Sequence, residues 1–149
     1  LLNKGFISVS ASSAYADRIV RDFNVKTLGV REAANSLSGG NLQKFIFGRE
    51  ILQNPRVMIA LQPTWGVDAG SAAAIRQALI DLAGDGAAVL VISQDLEELF
   101  EVSDRIAVIF GGELSRSYPT SKITVDEVGL LMSGINSQGD IHQEAPDVP

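Results

Sequence analysis

Cysteine is absent from this 149-residue sequence, and histidine occurs once, as His142. The lack of cysteine excludes disulfides and thiolate metal sites, and it is compatible with a cytosolic protein. No apolar run approaches the length of a membrane span, and no signal-peptide pattern opens the chain. We expect His142 to be a solvated residue rather than a catalytic one.

Basic residues are scarce as well, since 12 Lys and Arg stand against 18 Asp and Glu for a formal net charge of −6. Nucleic acid binding requires clustered basic side chains that contact phosphates, so the charge argues against a nucleic-acid partner. The apolar content of 46% at this length favours one globular domain with a substantial core.

A phosphate loop is also missing. Such a loop has the form Gly-x-x-x-x-Gly-Lys followed by Ser or Thr. None of the four lysines, Lys4, Lys26, Lys44 and Lys122, follows a glycine. The sequence therefore contains no Walker A motif of its own.

The most informative segment is residues 37–44, Leu-Ser-Gly-Gly-Asn-Leu-Gln-Lys. Gly39 and Gly40 leave backbone N–H groups uncovered by any Cβ atom. A helical apolar pattern starts at once with Leu42, so these N–H groups lie at a helix N-terminus, where the helix dipole favours an anion. The alternative is a flexible turn before a surface helix.

A second informative segment, residues 57–68, follows the first along the chain. The apolar run 57–61 is succeeded by Gln-Pro-Thr-Trp and then by Gly66, Val67 and Asp68. In this order the segments resemble the ATPases of ATP-binding cassette (ABC) transporters. Residues 37–44 are similar to their signature motif, residues 57–64 to the Walker B strand, and Gly66, Val67 and Asp68 to the D-loop.

The details of both segments narrow the resemblance. The signature with Asn41 and Lys44 is similar to that of bacterial importers of simple sugars and nucleosides, whose ATP-binding subunit fuses two cassettes in one chain. Residues 62–64, Gln-Pro-Thr, resemble the second cassette, and together with Leu42 they favour the nucleoside branch. The resemblance covers residues 15 to 134.

The resemblance implies an α/β fold, namely a partial P-loop NTPase-like wound parallel sheet with part of the ABC helical subdomain and without the Walker A portion. Residues 1–36 are expected to belong to the helical subdomain and residues 37–135 to the C-terminal part of the nucleotide-binding domain. Residues 136–149 are polar and predicted to be a disordered tail. We therefore expect the chain to represent only the C-terminal part of a cassette.

Periodicity predicts the individual elements. Strands are expected at 57–61 and 87–92, buried on both faces, and at 105–110, with a return strand at 113–118 after a Gly-Gly turn. Helices are expected at 14–23, 40–53, 71–83, 95–102 and 125–132, the third with an apolar stripe of Ala72, Ile75, Leu79 and Leu82. Alternating strands and helices indicate a parallel sheet.

Three positions depart from the chemistry that the resemblance implies. Leu61 stands where the family has an Asp that holds Mg²⁺, and leucine offers no oxygen ligand. Gln62 stands in place of the catalytic Glu, and an amide cannot accept the proton of water. Gln94 replaces the switch histidine. We expect Leu61 to be a core residue, the acidic helix with Asp95, Glu97 and Glu98 to be solvated, and no metal site in the chain.

The resemblance also implies how the protein works. Ser38, Gly39, Gly40 and Asn41 would face ATP held in trans by the first cassette, and the site in cis would be degenerate. ATP and Mg²⁺ would be cofactors of the assembled transporter, with none expected for the isolated chain. Partners would be the first cassette, the transmembrane permease subunits and, indirectly, the solute-binding protein, at the cytoplasmic face of the inner membrane.

Two other interpretations remain open at this point. One is a catalytically dead module of ABC type that only regulates or dimerises. The other is an unrelated wound α/β binding domain in which Ser-Gly-Gly starts a helix by chance.

Overall fold

The structure is a computed structural model that describes residues 2–3 and 6–135, and these form an α/β fold. The predicted tail 136–149 and His142 lie outside the described residues. The helices are α1 Val9–Asp22, α2 Gly39–Ile51, α3 Ala69–Gly84, α4 Leu96–Val102 and α5 Val125–Met132. The strands are β1 Leu2–Asn3, β2 Phe6–Ile7, β3 Val57–Leu61, β4 Ala88–Ile92, β5 Arg105–Ile106, β6 Ile109–Phe110, β7 Glu113–Leu114 and β8 Tyr118–Pro119.

A βαβ unit is the centre of the fold. β3 and β4 pair in parallel from Val57 opposite Ala88 to Leu61 opposite Ile92, and α3 connects them. Parallel strands require such a crossover, because a tight turn cannot return the chain to the same end of the sheet. The predicted parallel sheet is thus confirmed, and it is a two-stranded one within the described residues.

The core lies between this sheet and the helices on one side of it. Its members are apolar residues of α2, β3 and α3: Phe47, Met58, Ala60, Ile75, Leu79 and Leu82. The predicted stripe of α3 is confirmed, since Ala72 is buried together with the three core residues of that helix. Spacing of three and four residues places these side chains on one face of the helix.

The prediction that β3 is buried on both faces is wrong. Val57, Ile59 and Leu61 are 67%, 67% and 65% exposed, whereas Met58 and Ala60 are buried. Successive side chains of a strand point to opposite faces, and only the even-numbered ones of β3 meet α2 and α3. Leu61, expected in the core, therefore lies on a face that no helix of the described residues covers.

The helix boundaries differ from the predicted ones by five residues at the start of α1 and by at most two residues elsewhere. α1 begins at Val9 rather than at 14, because the hydroxyl of Ser8 accepts a hydrogen bond from the N–H of Ala11 at 3.3 Å and caps the helix. Residues 9–13 include three serines and lack a helical apolar pattern, so periodicity does not predict this part of the helix. α2 ends at Ile51, two residues before its predicted end, and Asn54 then takes a φ of +49° ahead of Pro55.

The chain divides between Val102 and Ser103 into two compact units. In the second unit, the predicted strands 105–110 and 113–118 are each interrupted. At the interruption the N–H of Ser115 donates to the carbonyl of Val108 at 2.8 Å, and the N–H of Val108 donates to the Ser115 hydroxyl at 2.9 Å. The predicted turn is confirmed by Gly111 and Gly112, whose φ values of +58° and +84° match a two-residue hairpin loop.

The predicted helix at 125–132 is also confirmed, and Thr124 and Glu127 form a capping box at its start. The predicted domain boundary between residues 36 and 37 stays a prediction. None of the described helices combines the length and the hydropathy that crossing a lipid bilayer requires.

Candidate functional site

The N-terminus of α2 presents unpaired backbone donors. Ser38 is its N-cap residue, and the Ser38 carbonyl accepts the first helical hydrogen bond from the N–H of Leu42 at 2.8 Å. The Ser38 side chain makes no capping bond. Within residues 2–3 and 6–135, no group accepts the N–H of Gly39, Gly40 or Asn41. Three donors therefore remain available at the positive end of a 13-residue helix.

Access to these donors is open. Ser38 and Gly39 are exposed, and a Cβ atom added to Gly39 would have no heavy atom within 4 Å. An anion can thus approach the backbone at this point without displacing a side chain.

The side chain of Asn41 is held on both sides. Its Nδ2 donates a hydrogen bond to Ser38 Oγ at 2.8 Å, and its Oδ1 accepts one from the backbone N–H of Lys26, also at 2.8 Å. Both ends of the Asn41 side-chain amide are thus engaged in hydrogen bonds within the protein. Its backbone N–H remains one of the unpaired donors.

The segment predicted to be a D-loop lies against this helix start. A Cβ atom on Gly40 would come 3.2 Å from the carbonyl oxygen of Gly66 and 3.6 Å from Cα of Val67. Gly66 has a φ of +74°, which residues with a side chain rarely adopt. The structure thus brings the signature-like and D-loop-like residues into contact.

A residue that the sequence did not single out connects α2 to the end of β3. Gln43 Nε2 lies 3.3 Å from the carbonyl oxygen of Pro63 and 3.4 Å from that of Gln62. Gln62 has a φ of +48°, and Pro63 is buried. No local pattern marks this role, because the two carbonyl groups lie 19 and 20 residues further along the chain.

Asp68 has a role that the sequence also did not reveal. It is the N-cap of α3, and its carboxylate accepts hydrogen bonds from the N–H of Ser71 at 3.0 Å and from its hydroxyl at 2.6 Å. The hydroxyl bond, then the backbone bond, hold the pKa of Asp68 below its ordinary value of 3.8, and the charge of Lys44 contributes less. A carboxylate followed by serine three residues later could have indicated this cap.

The three positions that the resemblance predicts to be replaced catalytic positions lie at one edge of the sheet. Leu61 is the last residue of β3, Gln62 follows it, and Gln94 lies two residues after the end of β4. The Gln62 N–H extends the ladder to the carbonyl of Ile92 at 2.8 Å. Ligands of α/β proteins bind at this carboxyl edge. Here it offers a hydrocarbon and two amides, and the nearest acid in sequence, Asp95, caps α4 through the N–H of Glu98.

The prediction that the acidic helix is solvated is only partly correct. Glu97 is exposed, but Glu98 is 1% exposed, because neighbouring residues of a helix point about 100° apart. One carboxylate oxygen of Glu98 has no hydrogen-bond partner among the described residues. No group of three His, Cys, Asp or Glu within residues 2–3 and 6–135 is arranged to hold a metal ion.

No family model matches the chain. It is 42% identical over 132 residues to the nucleoside import ATP-binding protein NupA of Lactococcus lactis subsp. cremoris, and covers 26% of that protein with 89% of itself. It is 40% identical over 125 residues to the glucose import ATP-binding protein TsgD13 of Haloferax volcanii. That match includes 81% of this chain and 22% of TsgD13.

A solved structure shows the same fold. The chain matches the dimeric structure of the ATP-binding cassette MJ0796 bound to ADP and Pi with a TM-score of 0.68 and 26% identity. The match includes 79% of this chain and 51% of the cassette. The chain thus spans about a quarter of the length of the curated relatives above and half of the cassette. The predicted resemblance and the predicted fold class are both confirmed.

Proposed function

We propose, because this chain is homologous to a segment of ABC import ATP-binding proteins, that it forms the C-terminal part of the second cassette of such a subunit. In this role Ser38, Gly39, Gly40 and Asn41 bind the terminal phosphate of an ATP molecule held in trans by the first cassette. The chain thereby helps to power import through the transmembrane permease subunits.

The observation that supports this proposal is the start of α2. Its three unpaired N–H groups and the open surface at Gly39 suit a multiply charged phosphate, which needs several donors and a positive dipole. Phosphoryl transfer depends mostly on positioning and electrostatic stabilisation, so fixed donors contribute to the reaction without taking part in proton transfer.

The site in cis has the opposite character. Mg²⁺ prefers oxygen ligands, and the edge formed by Leu61, Gln62 and Gln94 supplies no carboxylate. Neither amide can accept a proton from water at neutral pH. The residues at this edge therefore do not suit Mg²⁺-dependent hydrolysis, and the catalytic ATP and Mg²⁺ would belong to the site that the first cassette provides.

The proposed substrates are nucleosides or simple sugars. The curated relatives include import proteins named for nucleosides and for glucose, at 42% and 40% identity. The solute itself would be selected by the permease and, indirectly, by a solute-binding protein. The proposed location is the cytoplasmic face of the inner membrane, where the subunit is peripheral.

The experiment that tests this function places a charge where the phosphate would bind. Gly39→Asp leaves the fold intact, because there is space for the side chain and an acid in the first turn stabilises a helix. The same charge repels a phosphate at the N–H groups. We expect the intact transporter to lose most of its ATPase activity and its solute uptake in vesicles.

Gly29→Asp is the matched control, since a Cβ atom there also meets nothing within 4 Å and the residue lies in the link before α2. We expect this variant to keep the activity of the parent protein. Equal activity of Gly39→Asp and Gly29→Asp would overturn the proposal and favour a module that only regulates or dimerises.

A further inference from the structure

We infer that Asn41 is a positioning residue that orients the Ser38 hydroxyl as a hydrogen-bond donor to the bound phosphate. The inference rests on the proposed function of the α2 N-terminus. It gives the Asn41 side chain a role exerted through Ser38, while the backbone N–H of Asn41 remains one of the proposed phosphate donors. The argument begins with the orientation of the Asn41 amide.

That orientation is determined by a group that can only donate. The backbone N–H of Lys26 lies 2.8 Å from the Asn41 side chain, so the atom that faces it must be the acceptor, Oδ1. The other end of the amide is then Nδ2, which can only donate, and it lies 2.8 Å from Ser38 Oγ. The Ser38 oxygen is therefore an acceptor in this bond.

The position of Lys26 is fixed in turn by α2. The buried ammonium of Lys44 donates a hydrogen bond to the carbonyl of Asn24 at 2.8 Å, and Asn24 has a φ of +48°. Val25, between Asn24 and Lys26, is 5% exposed. The link 24–26 is thus held to the helix by two hydrogen bonds in opposite directions, and Val25 between them is buried.

This arrangement has two consequences for an anion. First, Ser38 uses a lone pair for Asn41, and no other hydrogen bond of Ser38 Oγ occurs within residues 2–3 and 6–135, so its O–H remains available. Secondly, an N-cap serine normally accepts the N–H of the third helical residue. Here the Asn41 side chain takes that place, and the Asn41 backbone N–H stays unpaired.

Removal of the Asn41 amide reverses both consequences. In Asn41→Ala, Ser38 Oγ can turn to accept the backbone N–H of residue 41. This N–H is then no longer available to the phosphate, and the Ser38 hydroxyl has changed its orientation. In Asn41→Asp, the carboxylate still accepts the N–H of Lys26 but has no N–H for Ser38. The Ser38 hydroxyl then donates to residue 41 and presents only lone pairs to the phosphate.

A double-mutant cycle in the intact transporter tests the inference. Loss of one fixed donor costs about 100-fold in kcat where it has been measured. We expect Ser38→Ala and Asn41→Ala each to lower kcat at saturating ATP by roughly 10-fold to 100-fold. If Asn41 acts through Ser38, Asn41→Ala should lower kcat by no more than about twofold in the Ser38→Ala background. Asn35→Ala, at an exposed position before the helix, is the matched control and should keep full activity.

A merely structural role for Asn41 would not produce this pattern, because destabilisation would lower the activity of both backgrounds alike. Asn41→Asp is the second variant to use if Asn41→Ala does not assemble, because its carboxylate keeps the hydrogen bond from Lys26. We expect the kcat of Asn41→Asp to be at least as low as that of Ser38→Ala. The inference would be overturned if the Asn41 variants were fully active while Ser38→Ala was impaired. It would also be overturned if the fold-losses in kcat of the two single variants multiplied in the double variant. Either result would leave the proposed function standing. Full activity of both single variants, Ser38→Ala and Gly39→Asp, would instead refute the proposed function.

Discussion

Gly40 approaches Gly66 so closely that a Cβ atom on the first would lie 3.2 Å from the carbonyl oxygen of the second. The start of α2 and the turn after β3 are therefore in backbone contact. We therefore expect a movement of either segment to displace the other.

Gly40→Ala tests this contact. Alanine normally stabilises a helix relative to glycine by about 1 kcal/mol. At Gly40 the added methyl group meets a backbone oxygen in a turn held by the positive φ of Gly66, so we expect a lower midpoint of urea unfolding for the 149-residue chain.

Gly39→Ala is the matched control for that experiment, because its methyl group enters open space. Its unfolding midpoint should equal or exceed that of the parent chain. A Gly40→Ala variant as stable as Gly39→Ala would show that the two segments do not constrain each other.

The two faces of β3 should respond differently to truncation. Met58 is 7% exposed in the core, and a change of a core methionine to alanine costs about 2–5 kcal/mol. Ile59 is 67% exposed, so Ile59→Ala should cost less than about 1 kcal/mol in this chain. Denaturant unfolding of both variants measures the difference. Similar losses would mean that the outer face of the sheet is covered in solution.

These residues illustrate what the sequence could and could not predict. The length and position of β3 followed from an uninterrupted apolar run, and α3 followed from its stripe with Ile75 and Leu79. Such a run does not distinguish a strand covered on both faces from one covered on a single face, because burial depends on what packs there. The exposure of Leu61 was missed for that reason.

The candidate site shows the same division. The glycines of the α2 N-terminus predicted unpaired N–H groups, and the structure contains them. The hydrogen bonds of Asn41 and Gln43 could not be predicted, since their partners, Lys26 and Pro63, are distant in sequence and meet only in the folded chain. The cap formed by Asp68 does have a local signal in the sequence, namely the serine three residues later.

The Asp68 cap predicts a dependence of stability on pH. The pKa of Asp68 is lower in the folded state, so its ionised form stabilises the fold above the unfolded value of 3.8. This stabilisation is lost as the pH falls through the folded-state pKa. We expect Asp68→Ala to unfold at lower urea concentration than the parent chain at pH 7, and the difference to shrink below pH 3.8.

Asp68→Asn separates the charge from the cap, because asparagine also accepts the N–H of Ser71 but does not titrate in this range. Its stability relative to Asp68→Ala should not change between pH 7 and acid. A difference between the parent chain and Asp68→Ala that persists unchanged in acid would show that the ionised carboxylate is not what stabilises α3.

The central claim is that the α2 N-terminus acts on ATP while the edge of the sheet does not. The most direct measurement is the ATPase rate of the intact transporter in vesicles at saturating Mg-ATP, with Ser38→Arg compared with Gln62→Ala and Gln94→Ala. Ser38→Arg places bulk at the phosphate position and should lower the rate by about 100-fold or more, as loss of phosphate-stabilising groups does. The two glutamine variants alter positions without catalytic chemistry and should lower it only a few-fold. Equal losses in the two classes, or no loss from Ser38→Arg, would contradict the account.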